Sequence, residues 1–409
     1  MMSNFKSNVL LLLSASAISQ LIAVVAIPVL SQFYSPEQFG TYGLYISISS
    51  IIASVAAGKF DLALMLPKEK KQVNSLFTLS SLLIFFVFCV VFIISYVFKD
   101  YLFQKTTSVL FSDYYFLIPV SVLLIAFSEL CLSWFNRNKE YKIISFNNVL
   151  KSSSNVLAAV FLGLKIISGG LILANVFSQI LVCISYMRKI KFNSILDFSL
   201  DRLSVVFNKY MMFFKYSTLS SLFNSTANIG FPIFLVFLFD IKVAGLYFFA
   251  EKIIIVPISI LVGSVSKVYF QEASVIYNNN KNNLLQFTDN IQKKIMLFLL
   301  PFLIIMSFLV EDLFVLLGEE WIFSGDLIKY FAIYLLFKNI YSPISSVADI
   351  FRQQKLLLFF NFSLVVSQIL FLYFFRDQGI KIALLFSSII GSIHYIGLNL
   401  YMRKLMRNA

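Results

Sequence analysis

The sequence predicts an all-α integral membrane protein of about twelve transmembrane helices in two six-helix halves around a central cavity, and three observations carry that prediction. Hydrophobic residues make up 59% of the 409 and charged residues only 13%, whereas ordinary globular chains carry roughly 25% charged residues. Apolar runs long enough for a hydrocarbon core of ~30 Å recur along the whole length. Two segments half a chain apart also repeat one order of landmarks.

The predicted spans fall at 8–30, 41–64, 74–98, 114–135, 143–163, 168–187, 215–238, 245–266, 295–316, 327–350, 356–375 and 380–402. The first opens MMSNFKSNVLLLLSASAISQ, whose lysine, short apolar core and small residues imitate a signal peptide. Its apolar pattern runs on to Leu30, so it reads as a retained span. The second closes on GKFDLALMLPK, and a lysine cluster separates it from the third. Cys89, Cys131 and Cys183 lie inside spans and read as packing residues rather than a disulfide framework or a metal site. The longest connections, 188–214 and 267–294, are too short for a soluble domain, though either is long enough for an amphipathic helix at the membrane surface. No cofactor site, phosphate-cradling glycine loop or nucleophile motif stands out, which argues against ATP hydrolysis by this chain.

A net charge of +13 would suit nucleic acid, but its distribution points elsewhere. With twelve spans and a cytoplasmic start, one set of loops holds Lys6, Lys68, Lys70, Lys71, Arg137, Lys139, Lys142, Arg188, Lys189, Lys191, Arg202, Lys209 and Lys215. Lys267, Lys281, Lys293, Lys294, Arg352, Lys355, Arg403, Lys404 and Arg407 fall on the same side. The other side has only Lys99, Lys105, Lys165, Lys242, Lys329, Arg376 and Lys381. That is the positive-inside pattern, and it puts both termini in the cytoplasm.

The repeat pairs IPVLSQFYSPEQFGTYGLY with FPIFLVFLFDIKVAGLY. Pro28, Gly40 and Tyr42 in the first copy match Pro232, Gly245 and Tyr247 in the second. Six spans per copy make the repeat parallel, as in transporters that hold substrate between two halves. The domains are therefore read as 1–190, a linker at 191–214, and 215–409. Proline inside a membrane helix frees backbone carbonyls and permits bending. The matched Pro28 and Pro232 are the candidate hinges; Pro119, Pro257, Pro301 and Pro343 read equally as static kinks.

Charges at bilayer depth are costly and face a protein interior or a wet cavity. At 1.5 Å per residue, Lys59 lies about 10 Å inside its span and is able to snorkel, whereas Lys338 lies about 18 Å from either end and is not. Lys151 lies about 13 Å beyond Lys142, among serines and asparagines. Lys252 and Glu251 lie about 10 Å from the outer surface, with Glu129 at similar depth from the inner one. Lys59, Lys151, Lys252 and Lys338, set against Asp61, Glu129 and Glu251, bias the buried set toward cations and hence toward an anionic substrate. The three carboxylates read as ion-pair partners or proton carriers. Asn224 and Asn228 supply hydrogen bonds either to substrate hydroxyls or between helices. His394 reads as a hydrogen-bonded core residue.

At these residues the chain resembles a known family. GKFDLALMLPK, YSPEQFGTYGLYIS, NRNKEYKIISFNN and AGLYFFAEKIIIVPISILVGSVSKVYFQEAS resemble segments of polysaccharide flippases in the multidrug/oligosaccharidyl-lipid/polysaccharide superfamily. The resemblance implies a non-enzymatic flippase that moves an undecaprenyl-diphosphate-linked oligosaccharide, an O-antigen-type repeat unit, across the bacterial inner membrane. It also implies membrane lipid as a partner, with the polysaccharide polymerase and chain-length regulator as further candidates. Lys59 and Asp61 then take the place of the family's Arg and acid, although lysine lacks the bidentate fork. Two other readings remain: a multidrug or cation antiporter of the same superfamily, which would favour a carboxylate-rich cavity, and a membrane polysaccharide polymerase. The second would need catalytic groups on an outer loop, where Glu319 and Glu320 of GEEWIFSGD are the nearest match.

Overall fold

The computed structural model describes residues 2–97, 109–190, 195–279, 282–344, 348, 351 and 353–408. The predicted loop cations Lys99, Lys105, Lys191, Lys281 and Arg352 lie outside the described residues. Among the described residues, all twelve predicted runs fall mainly on helix and there is no strand. Eight helices among the described residues are long and apolar enough to cross a membrane, and a pair bent by 62° makes a ninth. Large apolar side chains such as Phe86, Ile93, Tyr96 and Phe308 are exposed, as lipid-facing surface requires. This is a multi-pass membrane protein.

The chain forms two compact units, Met1–Gly245 and Leu246–Ala409. In the first, α1 (Met2–Leu30), α2 (Pro36–Ala56), the single turn α3 (Phe60–Ala63) and α4 (Lys70–Val97) are followed by α5 (Ile118–Arg137), α6 (Tyr141–Leu164) and α7 (Gly170–Lys189). The linker forms α8 (Leu200–Lys209), and the seventh predicted span is the bent pair α9 (Thr218–Ile229) and α10 (Phe231–Leu238). α11 (Ile241–Asn279) begins in this unit and continues into the second, which holds α12 (Asn282–Val315), α13 (Ile322–Tyr341), α14 (Gln354–Phe374) and α15 (Ile380–Arg407).

Local chemistry sets the boundaries of α2. It starts five residues earlier than predicted, because SPEQ is a complete start signal: Ser35 caps Gln38 N–H, the Gln38 side chain caps Ser35 N–H at 2.9 Å, and Pro36 fills the first turn. It ends eight residues earlier than predicted. Gly58 and Lys59 both adopt left-handed backbone, with φ of 58° and 57°, and two such residues in succession cannot continue a right-handed helix. The charge expected within a continuous span therefore sits on a break.

The bend between α9 and α10 has a comparable origin. Pro232 has no N–H to give back to Asn228, and Ile233 N–H turns instead to Gly230 O, which frees the Ile229 carbonyl. The buried Ser47 hydroxyl of α2 donates to that carbonyl at 2.7 Å, tying the seventh span into the first unit. Pro28, its counterpart in the repeat, lies in the last turn of an unbroken α1.

The two glycines of the repeat meet each other. A methyl group on Gly40 would lie 1.9 Å from Ile241 O, and one on Gly245 would lie 1.8 Å from Pro36 O. Only glycine permits that crossing of α2 and the start of α11. Glu37 and Lys242 form an exposed ion pair of 3.6 Å beside it.

The linker is anchored rather than free. Asp197 accepts from Ser75 Oγ at 2.9 Å and from both faces of the Arg202 fork, while its own N–H donates to Thr78 Oγ1 at 2.8 Å. The Arg202 guanidinium holds the Asp197 carboxyl well below the usual carboxylate range, so the clamp stays charged under mildly acidic conditions. In the second unit the core is aromatic: Phe249 stacks on Trp321 with ring centroids 3.9 Å apart, and Phe314 closes edge-on.

Candidate functional site

The intramembrane charges gather into two clusters, one in each unit. In the first unit a cavity of about 340 Å³ is lined by Ile46, Ser50 and Ser54 of α2, Ile125 and Glu129 of α5, Lys151 of α6, Asn175 and Gln179 of α7, and Ser225 and Ile229 of α9. Four of those five helices contribute residues four apart, the spacing that keeps side chains on one helical face. Glu129 and Lys151 are within electrostatic reach of each other, and Glu129 also feels Lys59 and Asp61. Among the described residues, none of the four forms an ion pair within 4 Å. Asp61 is only 7% exposed, and its Oδ1 has no hydrogen-bond partner.

The break bearing Lys59 and Asp61 is braced from two sides. Arg137, in the last turn of α5, donates one guanidinium nitrogen to Leu64 O and the other to Pro67 O, both at 2.5 Å. Phe60, fully buried, lies between Phe207 of α8 and Phe214, with centroids at 5.7 and 6.2 Å. Phe214 belongs to a π-helical turn, Phe213–Ser217, a feature often found at functional sites. It also sits where a Gly58 side chain would go, 2.8 Å from a Cβ there. Lys59 is held in a conformation uncommon for a residue with a side chain, and such strain persists only where the surroundings dictate it.

Arg137→Ala is expected to lower stability by about 1.5–3 kcal/mol, the range for hydrogen bonds from a charged donor. Arg137→Lys should recover little, since an ammonium cannot span two carbonyls with a fixed fork. Thermal unfolding of the purified variants checks this; a lysine variant as stable as the native chain would remove the clamp.

The second cluster belongs to the second unit. Glu251 of α11 is hydrogen-bonded by Tyr247 and feels Lys338 of α13 most strongly, then Lys252. The Lys338 ammonium lies 5.4 Å from the Tyr334 ring centroid, and Lys252, which is exposed, lies 4.9 Å from that of Phe248. Tyr334 packs against Tyr395 of α15 at 5.7 Å and needs Gly391, where a Cβ would come within 2.7 Å of its ring. Its hydroxyl is buried without a hydrogen-bond partner, although Tyr395 and Gln368 are close by.

Asn224 and Asn228 do not line the first cavity. They bond each other instead, Asn228 Nδ2 donating to Asn224 O and Oδ1 at 2.8 and 3.0 Å, while Ser225 between them reaches the wall. His394 is bonded through Nδ1 to Ile390 O at 3.0 Å. The sequence reading passed over Asn175, Gln179, Ser50 and Ser54. Their signal was available as polar pairs four apart within apolar spans.

Within the first cluster two lysines face two carboxylates; only the second, with Lys252 and Lys338 against Glu251, has more cations than anions. Among the described residues no group of His, Cys, Asp and Glu could hold a metal ion.

Over residues 29–324 the chain matches the family described as polysaccharide biosynthesis protein. It belongs to that family. No curated protein matches its sequence significantly. In fold, this polysaccharide biosynthesis family member is similar to the lipid II flippase MurJ in an inward closed conformation, with a TM-score of 0.76, 16% identity, and 97% of this chain and 90% of that one covered. It is also similar to an inward-facing multidrug resistance MATE family transporter of the MOP superfamily, with a TM-score of 0.72, 14% identity, and 97% and 98% covered. A third similar structure is a MOP superfamily transporter from Pyrococcus furiosus, with a TM-score of 0.67, 15% identity, and 98% and 96% covered. The family member therefore has the fold of MOP superfamily transporters.

Proposed function

We propose that this protein is a flippase that carries an undecaprenyl-diphosphate-linked oligosaccharide, an O-antigen-type repeat unit, from the cytoplasmic to the outer leaflet of the inner membrane. The observation that carries the reading is the pairing of a polysaccharide-biosynthesis family match over residues 29–324 with clustered intramembrane charges that, among the described residues, form no ion pair within 4 Å. A hydrophilic headgroup needs polar partners at bilayer depth, and charges left without close partners are available to it. Lys59, Lys151, Lys252 and Lys338 are the residues assigned to the diphosphate and sugar, and Asp61, Glu129 and Glu251 the carboxylates that hold those lysines between substrates. Alternating access between halves 1–190 and 215–409, with Pro28 and Pro232 as the hinges, completes the reading, and both termini are cytoplasmic. The polymerase and chain-length regulator would receive the product. A cation antiporter is disfavoured because each carboxylate cluster has lysine within electrostatic reach.

The test is the leaflet location of lipid-linked repeat units in host cells with and without this gene, polymerase and ligase intact. Units trapped on the cytoplasmic face without the gene are expected. Units that reach the outer leaflet unpolymerised would move the function to an enzyme or assembly partner.

A further inference from the structure

We infer that the cavity of the first unit is a sugar-ring site that takes one uncharged monosaccharide of the transported oligosaccharide, with Asn175 and Gln179 determining its specificity; this rests on the flippase reading and names the chemistry of one of its sites. The size fits a small ligand. About 340 Å³ is at the low end of ligand pockets, roughly 300–1,000 Å³, and is too small for a polyprenyl chain or a whole oligosaccharide.

The walls specify the ligand further. Ile46, Ile125 and Ile229 offer apolar surface to the C–H face of a ring, while Ser50, Ser54 and Ser225 offer hydroxyls to its edge. Asn175 and Gln179 are 6% and 1% exposed, and the carboxamide oxygen of each has no hydrogen-bond partner. Asn175 Nδ2 already donates to the Tyr42 hydroxyl at 3.3 Å. Two unfilled acceptors call for donors, and a sugar hydroxyl or acetamido N–H is a donor where a phosphate or carboxylate oxygen is not. Glu129 and Lys151 face the same space as opposite charges, so the cavity has no net preference for an anion. Glu129 in particular penalises an acidic sugar.

Purified full-length protein in lipid nanodiscs tests this with four probes: N-acetylglucosamine, glucose, glucuronic acid and undecaprenyl diphosphate. N-acetylglucosamine or glucose is expected to bind at millimolar concentration, glucuronic acid at least tenfold more weakly. The Asn175→Leu/Gln179→Met double variant should lose sugar binding at least tenfold and keep undecaprenyl diphosphate binding within twofold. Only the carboxamide oxygens are unpartnered; the variant also removes the 3.3 Å hydrogen bond from Asn175 to Tyr42, a loss of modest size for a neutral pair. Unliganded thermal stability should therefore fall only slightly, whereas a purely structural role for both amides would lower it strongly.

If the variant melts well below the native protein, or if glucuronic acid binds as well as the neutral sugars, the inference is overturned. The same follows if undecaprenyl diphosphate binds and no sugar does, which leaves the flippase reading standing. Failure of native protein to bind any of the four would count against both.

Discussion

Gly40→Ala and Gly245→Ala will each destabilise the protein. The new methyl groups would fall 1.9 Å from Ile241 O and 1.8 Å from Pro36 O. These neighbours are backbone atoms in helical segments, so no rotamer change makes room. The helices must separate, and overpacking of that kind costs typically about 1–3 kcal/mol. Gly263→Ala is the control, because nothing lies within 4 Å of a Cβ there, and alanine is the better helix former by roughly 0.5–1 kcal/mol. Thermal unfolding in one detergent should order the variants with Gly263→Ala at or above native and the other two below it. A Gly40→Ala protein as stable as native would mean that the α2–α11 crossing is not close.

Lys338→Ala will abolish most transport while leaving the amount of protein near normal. Lys338 is the cation that Glu251 feels most strongly, and it lies over the Tyr334 ring. Alanine leaves Glu251 opposed only by the more exposed Lys252. A ten- to hundredfold loss of transport is expected, equivalent to roughly 1.4–2.8 kcal/mol. Lys338→Arg should retain part of the activity, since charge survives but the fork fits a different geometry. Adding Glu251→Gln to Lys338→Ala should restore stability without restoring transport, which separates a substrate role from a structural ion pair. Full transport by Lys338→Ala would take this residue out of the site.

The sequence made the helices legible because apolar length is a local property, and the described residues of each predicted run are mostly helical. It also marked every charge that the two clusters contain. Partnership was not legible: Glu129 reaches Lys59, Asp61 and Lys151 through three different parts of the chain, and nothing in the spacing of those residues says so. The break at Gly58 and Lys59 was hidden for another reason. Apart from Asp61, apolar residues continue through it from Phe60 to Leu66, and the aromatic side chains that stabilise the turn come from Phe207 and Phe214, well over a hundred residues away. Asn175 and Gln179 could have been found by asking which polar residues in apolar spans recur at a spacing of four.

The grip of Phe207 and Phe214 on Phe60 bears on how such a chain evolves. A gene made by doubling begins with two copies that are interchangeable, and the segment joining them belongs to neither. Once that segment seats aromatic rings against a turn in the first copy, and Asp197 fastens it to Ser75 and Thr78, the copies acquire different selective pressures. Substitutions at Phe60, Phe207 and Phe214 are then expected to depend on one another, since the three rings are in mutual contact. The recombinants most readily tolerated would exchange everything after the linker and inherit the first copy and its tether as one piece.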